Sequence, residues 1–114
     1  MANNDPGQLT QRVAWEFRKK VSDGYGNETG KFTEVFQCRA GFTPLRGTEA
    51  VMASRLAGRQ PVVVRIRVSS DSRQIAPDWR MRDVRTGQFY AVRSIAPTPD
   101  RMWFDVMVES GVAQ

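Results

Sequence analysis

Histidine is absent from the 114 residues, and cysteine occurs once. The first absence removes the side chain most used as a general base near neutral pH and the commonest metal ligand, so a hydrolase triad has nothing to be built from. The second excludes an internal disulfide. The start, Met1-Ala-Asn-Asn-Asp-Pro-Gly7, carries neither the basic residues nor the apolar run of a secretory leader, and synthesis and assembly in the cytosol follow. Long hydrophobic runs are also missing: no stretch nears the ~18 apolar residues of a membrane helix, so no membrane partner is expected. Lysine is scarce too. Of 17 basic residues 14 are arginine, set against 12 acidic ones for a net charge of +5. Arginine binds carboxylates and phosphates through a planar fork where lysine offers a point charge, which suits interfaces or phosphate; a solvated basic surface accounts for the same balance equally well, so charge alone decides nothing.

What remains is 40% hydrophobic and 25% charged, the composition of an ordinary soluble globule. Residues 1–8 read as a flexible tail and 9–114 as one domain, long enough to fold without staples. From Gln11 to Lys19 the pattern alternates, with Val13, Trp15 and Phe17 on one face and Arg12, Glu16 and Arg18 flanking them, which predicts a strand. Ser22–Gly30 is rich in glycine and Asn/Asp and predicts a hairpin loop. Phe32 to Phe42 alternates again, Phe36, Cys38, Ala40 and Phe42 opposing Val35, Gln37 and Arg39. Over Gly47–Gly58 the period changes: Thr48 can cap, Glu49 suits the positive end, Met52 and Leu56 stack four apart, and Gly58 supplies the stop, predicting a short helix.

Pro61 opens a strand with Val62, Val64, Ile66 and Val68 on one side and Val63, Arg65 and Arg67 on the other. Ser69–Pro77 reads as a polar turn region. Trp79–Arg85 and Gln88–Ile95 read as a hairpin closed at Thr86-Gly87. A last strand runs from Met102 to Glu109, with Met102, Phe104, Val106 and Val108 inward against Trp103, Asp105, Met107 and Glu109. The sum is a mostly β chain: a small antiparallel barrel or sandwich of about six strands, with one short helix in a long connection.

Catalytic constellations are missing. Cys38 lies on an inward alternation with no histidine to activate it and reads as a core hydrophobe. The acidic residues are scattered singly, and Asp71, Arg73 and Asp78 read as turn formers; neither metal nor cofactor is expected. Gly24-Tyr-Gly26 precedes no helix, so it is hairpin chemistry and not a phosphate cradle. One mixture fits a binding function: Arg65, Arg67, Arg80, Arg82, Arg85 and Arg93 with Trp79, Tyr90 and Trp103 match the basic and aromatic surface of a single-stranded nucleic-acid-binding barrel, the alternative reading.

Five pieces in order carry a family resemblance: Leu9-Thr-Gln-Arg-Val13; Asp23-Gly-Tyr-Gly26; Cys38-Arg-Ala-Gly-Phe-Thr-Pro-Leu-Arg-Gly-Thr-Glu49; Val63-Val-Arg-Ile-Arg67; and Trp79-Arg-Met-Arg-Asp-Val-Arg-Thr-Gly-Gln-Phe-Tyr-Ala-Val-Arg-Ser-Ile95. In that order and spacing the chain resembles the head-tail joining, or head completion, proteins of long-tailed bacteriophages, prophages and gene transfer agents. It departs from them in carrying Phe36 and Cys38 where the family tends to have tryptophan followed by alanine, and in a polar start to its helix.

The resemblance implies a small β-barrel that acts in the virion as a connector without turnover. Such a protein sits as a homo-oligomeric ring under the portal-adaptor ring, closes the channel after DNA packaging and offers its far side to the tail tube or tail terminator. The host cytoplasm is then the place of assembly. Loops that reach a ring's axis or neighbours are the natural contact elements. The contact residues expected are therefore Tyr25 and Lys31 in the first excursion, Arg46, Glu49, Arg55 and Arg59 in the second, and Arg65 and Arg67 on the strand that follows. Contact with packaged DNA would be to phosphates and blind to sequence.

Overall fold

A computed structural model describes residues 9–18, 21–22, 24, 28–44, 56 and 58–111. The tail over residues 1–8 and the helix expected over Gly47–Gly58 lie, apart from Leu56 and Gly58, outside the described residues. Six long strands are β1 (Gln11–Arg18), β4 (Phe32–Pro44), β5 (Gln60–Arg67), β6 (Arg80–Asp83), β7 (Phe89–Pro97) and β8 (Trp103–Ser110). They close into an antiparallel barrel in the order β1-β4-β5-β8-β7-β6, with β6 returning to β1. A two-residue ladder of β2 (Val21–Ser22) with β3 (Glu28–Thr29) prolongs the β1–β4 hairpin, as its glycine-rich turn predicts.

The interior is the set the alternation marks. Val13, Trp15, Val64, Ile66, Met81, Val106 and Val108 are fully buried, and Phe36, Cys38, Phe42 and Tyr90 pack against them from partly covered positions. Trp15 lies stacked near Phe36, and Phe42 meets Tyr90 edge-on, as aromatic quadrupoles prefer. Register between β1 and β4 shifts at Trp15/Glu16, where Val35 is the extra residue. The bulge turns Phe32 and Glu34 to the outer face although Phe36, Cys38 and Ala40 face inward.

Three expectations need correction. Trp103, which the single-strand-binding alternative needs as an exposed ring, keeps the outward side of β8 but is only 2% exposed: Arg67 lies over its ring at 5.6 Å, and its backbone carbonyl accepts from the Thr98 N–H. Met102, expected inward, precedes β8 and is exposed, because the turn through Thr98, Asp100 and the positive-φ Arg101 ends there. Phe17 lies at the barrel rim, part-exposed, with its ring 5.8 Å from Trp79. The Ser69–Pro77 region is also more than a polar turn. The 3-10 turn Ser72–Gln74 is held by Ser72 Oγ, which donates to the Arg67 carbonyl and accepts from Ser69 N–H, and Ile75 and Trp79 beside it are buried in the core. This connection seals the end of the barrel where β5 stops and β6 starts. At the other end Gly111, at φ 79°, lies so close to the Gly58 carbonyl that a side chain would have no room.

Candidate partner interface

Cys38 accepts a hydrogen bond from Trp15 Nε1 at 3.3 Å, and burial pushes its thiol pKa up, an effect that this bond and nearby Arg12 only partly offset. It is a poor nucleophile. The described residues hold no group of three metal-ligating side chains, and none of their helices is long and apolar enough to cross a membrane. What the barrel offers is its outer wall.

That wall is ruled by cross-strand pairs, because opposed outward side chains on neighbouring strands stand ~5 Å apart at Cβ. Across β6, β1 and β4 the register sets Arg80, Glu16 and Glu34 in one row and Arg82, Ala14 and Gln37 in the next. Glu16, nearly buried, accepts from Arg80 Nε at 2.7 Å, and Arg82 spans to Glu34 at 2.7 Å and to Glu16 at 3.5 Å. The Arg80 guanidinium is also stacked between two rings, 4.1 Å from the centroid of Phe32 and 3.9 Å from that of Phe89. On the opposite wall Arg65 grips Asp105 with two bonds of 2.7 and 2.8 Å, and Arg93 meets Glu109 at 2.9 Å. The Asp105 bond is the main reason Arg65 holds its proton more firmly than an isolated arginine.

The expected contact residues do not converge. Tyr25, Arg46, Glu49 and Arg55 lie outside the described residues. Lys31 is exposed just before β4 and Arg59 is exposed just before β5; since these strands run antiparallel, the two mark opposite ends of the barrel. Arg65 and Arg67 do share the outer face of β5, the first bound to Asp105 and the second over Trp103. The alternation had placed Arg12 and Arg39 outward, but their direct opposition on β1 and β4 needed the pairing register. The rings of the alternative reading are also not free platforms: Trp79 and Trp103 are buried, and Tyr90 packs on Phe42.

With the wall laid out, comparison with known proteins is decisive. A family model described as phage head completion protein matches residues 5–111. The chain belongs to that family. It is thus a structural component of a phage-type virion, as the resemblance implied. The barrel is shared with solved structures at low identity. A Shigella flexneri 2a protein solved in solution superposes with a TM-score of 0.71 at 16% identity, covering 96% of this chain and 99% of its own. A chain of the native gene transfer agent virion superposes with a TM-score of 0.68 at 16% identity, over 93% and 97%. No curated protein sequence matches.

Proposed function

We propose that this head completion protein is the connector between the DNA-filled head and the tail. In this reading copies assemble as a ring against the portal-adaptor ring, close the channel once packaging ends and present the docking surface for the tail tube or tail terminator. The observation that carries the reading is the family match across nearly the whole barrel. The wall supports it: four of its arginines are neutralised by carboxylates of the same chain, which suits subunits that meet neighbours over a rigid face. Tyr25, Lys31, Arg46, Glu49, Arg55, Arg59, Arg65 and Arg67 remain the proposed contacts with those neighbours, and no turnover is involved.

The test is made in particles. Heads assembled without the protein are expected to package DNA, then lose it and remain tailless, and purified protein added back is expected to restore tail attachment. Depleted heads that keep their DNA and acquire tails at the normal frequency would overturn the reading.

A further inference from the structure

The outer wall carries one row that breaks its own rule. Above the rows led by Arg80 and Arg82, Arg12 on β1 stands directly opposite Arg39 on β4, both exposed. Like charges in direct cross-strand opposition destabilise a sheet. The Val84 N–H donates to the Arg12 carbonyl at 3.1 Å, which fixes the start of the β6–β7 turn beside Arg12, and the next residue in that turn, Arg85, is exposed. No side chain among the described residues pairs with any of these three guanidinium groups. The carboxylate nearest in sequence, Asp83, is buried and accepts the backbone N–H of Arg85. The residues two along the chain from each of the pair are Thr10, Ala14, Gln37 and Gly41, so among the described residues none of these neighbours is an acid.

We propose that Arg12, Arg39 and Arg85 form a contact for the phosphate backbone of duplex DNA. Three features select this ligand. Among the described residues the row is basic without compensation, which suits counterion-releasing phosphate contacts. A protein partner would want an aromatic or aliphatic anchor at the centre of the patch, and among the described residues the exposed apolar side chain beside it is the small Val84. A single strand would want open rings for its bases, and neither β1 nor β4 presents one in that row. The contact positions DNA and reads no sequence. The inference deepens the connector reading, which supplies the setting in which DNA is met, but its chemistry stands on the row itself.

The experiment titrates the full chain into a short fluorescent DNA duplex and follows anisotropy across salt. Wild type is expected to bind at low salt, with affinity falling steeply as salt rises. In the Arg12→Gln/Arg39→Gln variant the slope of log affinity against log salt is expected to shrink by about 2, with a loss on the order of tenfold per arginine at ~50 mM salt. Arg93→Gln, on the opposite wall, is expected to leave both unchanged. Since the double variant removes a repulsion, its melting temperature should match or exceed that of wild type, so lost binding is not lost folding. Wild type that ignores duplex DNA at low salt, or a double variant with an unchanged slope, overturns the proposal, as does a double variant that binds DNA normally yet no longer joins particles. Failure here with intact head completion leaves the connector reading standing; duplex binding by a protein that heads do not need removes that reading and leaves this one.

Discussion

Toward the sealed end of the β6–β1–β4 wall, Arg80 and Arg82 face Glu16 and Glu34 across the strands, whereas two rows away Arg12 and Arg39 face each other. The strands are shared, but the bulge at Val35 lies between the two regions and is what turns Glu34 outward to meet Arg82. In the first rows the sheet supplies the counter-charge to each guanidinium, and the interaction is spent on holding the fold. In the last row no described side chain supplies that counter-charge. Arginine content alone therefore says little about binding on this barrel; the register that gives each arginine its neighbour says most of it.

The largest effect that would break this comparison is expected at Glu16. Glu16→Gln leaves Arg80 and Arg82 facing a neutral group at a position only 4% exposed, and should cost about 2 kcal/mol, read as a lower denaturant midpoint with an unchanged slope. A neutral result would mean that the paired rows do not stabilise the wall. Next comes Arg65→Gln on the opposite wall, where Asp105 is a third exposed and screened; a loss of about 1 kcal/mol is expected, shrinking as salt is raised. Smallest, and of opposite sign, is Arg39→Glu, which turns the like-charged pair with Arg12 into an attractive one. It should gain about 0.5 kcal/mol, seen as a slightly higher melting temperature. If Arg39→Glu instead destabilises, the two guanidinium groups are not repelling each other in the folded chain.

Much of the barrel was legible in the sequence because a half-buried strand writes its burial with period two. Val62, Val64 and Ile66 against Val63, Arg65 and Arg67 is the clearest case, and the structure buries the first set and keeps the second half-open or open. Alternation tells which side a residue takes and not what covers it. Trp103 takes the outer side as read, yet Arg67 and the Thr98 turn close over it. The bulge at Val35 was invisible for a related reason: one extra residue leaves no compositional mark, although it puts Phe32 on the outside as a platform for Arg80. The interface was less legible still. Arg12 and Arg39 are 27 positions apart, Arg80 and Glu16 are 64 apart, and only pairing makes either a neighbour. Even with the β1–β4 turn placed between Ser22 and Gly30, counting back along both arms misses the level of Arg12 and Arg39, because the bulge at Val35 shifts the register by one residue between the turn and that pair.

The packing of the barrel has a consequence for any passage this protein helps to form. Trp15, Ile66, Met81 and the valines fill the inside, and the segment carrying Ile75 and Trp79 corks one end, so the cylinder has no bore. Whatever threads through an assembly of these chains slides along the outside of each of them. Where a strand of the wall faces such a passage, its charge is set by the same outward residues that make the cross-strand ion pairs, so recharging a paired position such as Arg65 or Arg80 trades cohesion for traffic, whereas Arg12 and Arg39 carry no such cost.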